Sequence, residues 1–490
     1  PRDNYVTDTT GSMNLGFEGT IATESVGDMQ WNAGYMYSKT DNKENGTGYV
    51  LKSAAQQAIA DGKFVGGEFD ASTTASMAAD TSRRSTMDFY QWYAGVQWDM
   101  GELPAGPVSW YAGAEYNDWV YADKYDAQSE AGNIIGSAGN SSGGVRDVTA
   151  AYIESLVPIT EQIELNVAGR FDKYSDFGSA FSPKASLRYQ PLDNLMLRTS
   201  WSRSFRAPSL SDLYSADSES ADWAKDYVYC EANGISAADC PNRQYTTTRT
   251  SNEDLKEETA DTWNFGVAYS PVDDLNLSLD YYTIKIEDVI QLNSLQSLIY
   301  DELNSGSSSS ITRNSQGKIG SAIAPMVNLG TLETSGLDLK VDYTYDLNYA
   351  TVRYDLGGTY ILKYKEGLYA GGPVIDKIGQ NGLPQMRFSS GVGVNVPQWW
   401  NMDTYLSANY IDSQSQDYIA DTGEEVGHIA SQTTWNLNVG VEAPWNGKIQ
   451  VGVKNMFNAG PSLESDGFTY DDELYSIDGR IYYLDYSQKF

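Results

Sequence analysis

The chain has 490 residues, and its 66 acidic and 33 basic side chains leave a formal charge of −33, which argues against DNA, RNA or an anionic membrane surface as partner. Mean hydropathy is −0.45, and no run approaches the roughly 18 apolar residues of a membrane helix, so helical spans are excluded as well. The 36 Tyr, 12 Trp and 13 Phe, with 45 Gly and only 15 Pro, favour strands and turns over helices and point to an all-β chain.

The opening residues PRDNYVTDTT carry neither a charged n-region nor an apolar h-region, so any signal peptide is expected to be removed or upstream. From there, strands are predicted near 12–23, 29–42, 86–100, 107–124, 145–158, 162–177, 181–191, 194–207, 257–270, 275–288, 329–345, 350–364, 385–397, 400–415, 431–443, 448–458 and 480–490. Alternation is cleanest in WNLNVGVE, where Trp435, Leu437, Val439 and Val441 oppose Asn436, Asn438, Gly440 and Glu442. It recurs in LNLSLDYYT, with Leu275, Leu277, Leu279 and Tyr281 against Asn276, Ser278, Asp280 and Tyr282. In IELNVAGRF, Ile163, Leu165, Val167 and Phe171 oppose Glu164, Asn166, Ala168 and Arg170. About 17 strands, many of them roughly 10 to 16 residues long, exceed the length usual in soluble sheets and suit tilted membrane-spanning strands.

Periodicity alone does not separate a soluble sandwich from a membrane barrel, but connection lengths do. Tight turns at 24–28, 101–106, 159–161, 191–194, 270–274, 346–349, 397–400 and 444–447 alternate with long connections at 43–85, 125–144, 208–256, 289–328, 365–384, 416–430 and 459–479. Segment 178–180 is the one short link on the long side. That parity describes a transmembrane antiparallel up-and-down β-barrel, with short periplasmic turns and long extracellular loops. The last segment, IYYLDYSQKF, places Tyr482, Leu484, Tyr486 and Phe490 on one face, as in the closing strand of bacterial outer-membrane barrels. Counting back from a downward last strand makes the first strand run downward too. The odd count therefore predicts that strands are missing and that Pro1 starts in an extracellular loop.

A single His, His428, and two Cys remove zinc sites, Ser-His-Asp triads and Cys-His pairs. Cys230 and Cys240 lie close together in a polar, turn-rich stretch, which reads as a local disulfide formed in an oxidising compartment, with two free thiols as the alternative. Helical spacing in SAAQQAIADG (53–62) and NSLQSLIYDELNS (293–305) predicts two short loop helices; these serve loop folding, or a lid over a ligand in the sharper reading. Trp110, Trp119, Trp399, Trp400 and Trp435 lie near strand ends, where aromatic girdles anchor barrels. Asp471, Asp472 and Glu473 offer hard oxygens for Ca²⁺ without the Gly and spacing of an EF-hand, so a solvated acidic tip is the expected reading.

Residues 170–214, RFDKYSDFGSAFSPKASLRYQPLDNLMLRTSWSRSFRAPSLSDLY, resemble TonB-dependent receptors, above all in Phe205, Arg206, Ala207, Pro208 and Ser209 followed by Leu213 and Tyr214. Further likeness lies in LPAGPVSWYAGAEY (103–116), NEDLKEETADTWNFG (252–266), ITRNSQGKI (311–319), NLGTLETSGLDL (328–339) and VGVKNMFN (451–458), in order along nearly the whole chain. Glu253 and Glu257 stand where the family usually has prolines. The resemblance implies a 22-stranded outer-membrane importer of Gram-negative bacteria, not an enzyme and without a cofactor. It would take up an extracellular nutrient through a plug pulled by the TonB energy-coupling complex. Nothing in the chain resembles the TonB box or plug domain, so 1–490 is expected to be the C-terminal barrel part, with those segments and about five N-terminal strands absent.

Within that frame, Arg206 is expected to pin the base of the 208–256 loop through carboxylates, and Pro208 to end strand pairing. The loop itself offers a candidate ligand surface. Tyr214, Trp223, Tyr227 and Tyr229 present rings that stack on sugars or aromatic siderophore groups, and Asp212, Asp222 and Asp226 accept hydrogen bonds. Ordinary loop packing is the plainer reading. The expected surroundings are outer-membrane lipid and lipopolysaccharide. The substrate is a saccharide, a peptide or a siderophore-type molecule, with the net charge of −33 tilting against anions. A passive porin-like channel is the alternative function. An outer-membrane enzyme or adhesin would need a catalytic cluster on a loop, and the sequence shows none.

Overall fold

The computed structural model describes residues 2–23, 27–135, 139–367, 374–380, 382–418, 425–464 and 470–488. Seventeen long strands run through them: β1 (Asp3–Thr23), β2 (Gly27–Val50), β3 (Ala78–Leu103), β4 (Gly106–Tyr125), β5 (Ser142–Thr160), β6 (Ile163–Tyr174), β7 (Ser179–Leu192), β8 (Leu195–Arg206), β9 (Glu258–Val272), β10 (Leu275–Leu292), β11 (Ile319–Leu347), β12 (Ala350–Gly367), β13 (Met386–Val396), β14 (Met402–Ile411), β15 (Gln432–Ala443), β16 (Gly447–Lys454) and β17 (Ile481–Gln488). Each pairs antiparallel with the next, as an up-and-down barrel requires. Among the described residues, β1 pairs only with β2 and β17 only with β16, so the meander has two edges.

Every expected strand is present, and several run further into the long connections. The β1–β2 hairpin continues to Asp3 and Val50, β3 begins at Ala78 and β11 at Ile319. Beyond the lipid both faces of a strand are wet, so alternation stops marking it while its ladder hydrogen bonds continue. The expected loop helices form at Lys52–Ala60 and Leu295–Ser305. Residues 24–26 of the first turn and the terminal Phe490 lie outside the described residues, as do parts of the connections at 365–384, 416–430 and 459–479.

Register carries one apolar face across the sheet. Leu15 stands opposite Tyr35, Leu197 opposite Val267, Leu279 opposite Leu339, and Val451 opposite Leu484. These side chains form no interior: Phe17 is 62% exposed, Trp92 58% and Leu484 72%. A large apolar side chain left in water forgoes about 1.5–3 kcal/mol, and a domain's whole net stability is only about 5–15 kcal/mol. A face this greasy therefore needs an apolar solvent. Two depressions on it, of about 520 and 490 Å³, are lined by residues such as Phe265 with Leu279 and Phe17 with Trp92, and have the chemistry of acyl-chain grooves.

The upper edge of the apolar zone is marked by aromatic pairs giving way to ion pairs on the same face. Trp201 and Trp263 lie 6.2 Å apart between ring centres, and two residues further along, Arg203 meets Asp261 at 2.7 Å. Tyr35 and Trp92 lie 4.5 Å apart, and Lys39 and Asp88 follow at 3.2 Å. Trp119 departs from the girdle expected for it: it pairs with Phe89 and Arg146 on the polar face. Trp110 faces outward, and an odd separation along a strand puts the two tryptophans on opposite sides.

Candidate functional site

Where β8 ends, the chain turns over the polar face. Arg206 donates through Nε to Glu258 at 2.8 Å, and Glu258 in turn accepts the Ile290 amide at 2.6 Å; the loop base is pinned as its sequence predicted. Pro208 is fully buried and its carbonyl accepts from Arg146 at 2.7 Å. Ser209 and Asp212 then form a capping box on the helix Leu210–Tyr214, satisfying amides at its first turn. Leu213 packs with Leu255 and Ile290. The Tyr214 ring lies on Gly144 of β5, where a Cβ would stand 2.8 Å from Cδ2, so glycine at 144 lets the helix seat inward.

Beneath that helix is a cavity of about 440 Å³, lined by Met87, Trp119, Tyr121, Arg146, Tyr174 and Ser209 to Ser211. Its wall is aromatic with few polar groups, the composition of a small-molecule site. Arg146 at its base is nearly buried, pairs with Asp176 at 2.7 Å, and lies 5.3 Å from the Tyr174 ring centre. The same pairing recurs on neighbouring strands: Arg83 meets Asp123 at 2.7 Å, and Arg170 meets Asp172 at 2.9 Å and Glu115 at 3.0 Å.

The rest of the long loop forms a cap with its own core. Hairpin strands Ser218–Lys225 and Asn242–Thr250 pair antiparallel, and Thr247 to Thr250 add in parallel to residues 322–325 at the top of β11. The helices Tyr227–Ala232 and Leu295–Ser305 pack between them, burying Leu295, Leu298 and Ile299 with Cys230 and Cys240, which form a disulfide. Gln296 reaches both backbone groups of Lys225, at 2.9 and 3.2 Å. Arg313 holds the two loops together: it donates to both oxygens of Asp226 and to both of Glu302 at 2.8–2.9 Å.

The predicted site residues thus divide. Asp226 caps the helix Tyr227–Ala232 and pairs with Arg313. Asp212 serves the capping box. Burial alone would push the Asp222 carboxyl up, but hydrogen bonds from Ser220 and Arg249 hold it below its ordinary value. Tyr227 is buried 5.5 Å from the Tyr300 ring. Tyr229 is half-buried with the Lys318 ammonium 5.8 Å from its ring centre. Tyr214 lies over Gly144 beside the Leu213 cluster and not in the cavity lining, and burial raises its hydroxyl pKa; Trp223 stands 63% exposed on the hairpin. Met87, Trp119, Tyr121, Arg146 and Tyr174 were not found from sequence, although even spacing would have put Trp119 with Tyr121 on the polar side.

The family described as TonB dependent receptor-like, beta-barrel, matches residues 1–456, and the chain belongs to it: an outer-membrane receptor of Gram-negative bacteria, a transporter and not an enzyme. Its fold is similar to that of the siderophore receptor PirA from Acinetobacter baumannii, at TM-score 0.60 and 14% identity over 99% of this chain and 71% of that one. The ferric enterobactin receptor PfeA from Pseudomonas aeruginosa, crystallised as a point variant, superposes at TM-score 0.59 and 15% identity over 97% and 69%. The ferric-catecholate import receptor Fiu from E. coli K12 does so at TM-score 0.56 and 14% identity over 99% and 64%. No curated protein matches the chain.

Proposed function

We propose that the receptor imports a neutral or cationic nutrient, of saccharide or peptide type, that meets the cavity under Leu210–Tyr214 and the exposed ring of Trp223. One observation carries this reading: Arg146 at the base of that cavity, and Arg83 and Arg170 elsewhere on the polar face, are already neutralised by Asp176, by Asp123, and by Asp172 with Glu115. The cavity thus offers hydrogen bonds and aromatic faces, and these three guanidinium groups are already engaged and not free for a polyanionic ferric catecholate. The long loops then face outward and the short turns the periplasm, with the apolar face against lipid and lipopolysaccharide.

We further infer that β1 and β17 are joined by additional strands of the same protein, since unpaired strand edges are not tolerated in hydrocarbon. A plug domain of that protein would fill the bore and receive the pull of the TonB complex; a 22-stranded bore left empty would leak, and family membership leaves the passive porin reading without support. The test is growth of a deletion strain on defined sugar, peptide and iron sources, with calorimetric titration of the purified receptor. Loss of growth on one sugar or peptide, with saturable binding of it, is expected. Tight binding of a ferric catecholate instead would overturn the ligand class.

A further inference from the structure

Several glycines on the polar face lie under side chains that skip a strand. Arg198 on β8 passes over Gly266 on β9 and donates through Nε to Asp280 on β10 at 2.8 Å, all three in one row of the register. Tyr111 on β4 crosses Gly95 on β3 and donates to Asn32 on β2 at 3.2 Å. The Tyr483 ring on β17 covers Gly452 on β16, and its hydroxyl accepts from Asn438 on β15 at 2.6 Å. Strand β13 is crossed twice in opposite directions. Tyr405 on β14 passes over Gly391 and donates to Asp355 on β12 at 2.9 Å, while Arg353 on β12 passes Gly393 to pair with Asp403 on β14. A Cβ at Gly391 would lie 2.0 Å from the Tyr405 hydroxyl, and one at Gly95 2.1 Å from that of Tyr111, so these crossings require glycine.

Main-chain ladders join neighbouring strands but leave the angle between successive pairs free to hinge. A bond from one strand to the next but one is a chord across that hinge, and on the concave side of a closed sheet its length follows the radius. We propose that these five chords fix the curvature of the wall, and with it the fit of the wall around whatever fills the bore. Arg198, Tyr111, Arg353, Tyr405 and Tyr483 are then positioning residues for closure. The link to closure rests on the importer reading above; the link to curvature does not.

The doubly crossed strand gives the test, in the complete receptor in native outer membranes. Nitroxides at Leu356 and Leu406, outward on β12 and β14, report their separation through dipolar broadening. In Arg353→Gln with Tyr405→Phe, the broadening is expected to fall as separations spread. Cells should also admit a large hydrophilic antibiotic, with at least a fourfold drop in inhibitory concentration. The reversed pair Arg353→Asp with Asp403→Arg, placed beside the native Tyr405, should restore both readings. Tyr405→Phe alone keeps the ring over Gly391 and carries the test if the double variant fails to assemble. Unchanged broadening in an assembled variant overturns the proposal; altered broadening without a leak overturns the link to closure. Absence of nutrient-dependent growth in the parent strain would count against the importer reading alone.

Discussion

The wall and the cap solve opposite solvent problems with one chain. In the wall, Phe265, Leu279 and Leu484 point outward and stand exposed, while arginines, aspartates and tyrosines occupy the inner face. In the cap, Leu295, Leu298 and Ile299 are almost fully buried, as in a water-soluble fold, and the buried carboxylates of Asp226 and Glu302 are paired with Arg313. The wall is held by its strand ladders, the cap by its own core, a disulfide and the Arg313 ion pairs. The boundary between the two solvents runs near the step from Trp201 to Arg203.

The cap depends most strongly on Arg313. Replacing it with Met leaves the Asp226 and Glu302 carboxylates buried and unpaired, a loss of about 3–5 kcal/mol. Amide exchange in Ser218–Lys225 and Leu295–Ser305 should accelerate while that of β13 to β16 does not change; adding Asp226→Asn and Glu302→Gln should recover most of the protection. A somewhat smaller effect is expected in the wall. Leu279→Arg places a charge on the lipid face at a cost of about 2–4 kcal/mol, while Ser278→Arg next to it faces the bore and should be near neutral. Urea unfolding in lipid vesicles reads the pair, and equal losses at both positions would erase the distinction between faces.

Acid sharpens the contrast least. The Asp222 carboxyl is held down by Ser220 and Arg249, and that of Asp70, which caps the helix Ala71–Met77, by hydrogen bonds from Ser72 and Thr73. A carboxylate with a depressed folded-state pKa contributes stability that is fully present above its unfolded value, near 3.9, and lost as pH falls through the folded one. Protection of both loop segments should therefore hold from pH 7 to 5 and fade only below about pH 4, with the wall unaffected; loosening already near pH 6 would contradict these pairings.

The wall was legible in the sequence because its code is local. Trp435, Leu437, Val439 and Val441 alternate with polar neighbours whatever their partners, and the turn lengths carry the topology. The cap was not, because its contacts are distant: Arg313 meets Asp226 across 87 positions, and residues 247–250 join 322–325 in a parallel pairing no local pattern announces. Asp226 is offered by the sequence as an acceptor for ligand, whereas in the structure it accepts from an arginine of the neighbouring loop. Arg206 was legible because its partner sits directly opposite at the foot of the same loop, on β9.

A nitroxide scan from Leu197 to Ser204 on β8 tests the membrane wall directly, comparing collision with oxygen, which partitions into lipid, and with a water-soluble nickel chelate. Oxygen access should peak at 197, 199 and 201, with chelate access out of phase at 198, 200 and 202, and the two should merge beyond 203. Chelate access equally high at 197 and 198 would mean that water bathes both faces, and the reading of this sheet as a membrane wall would be wrong.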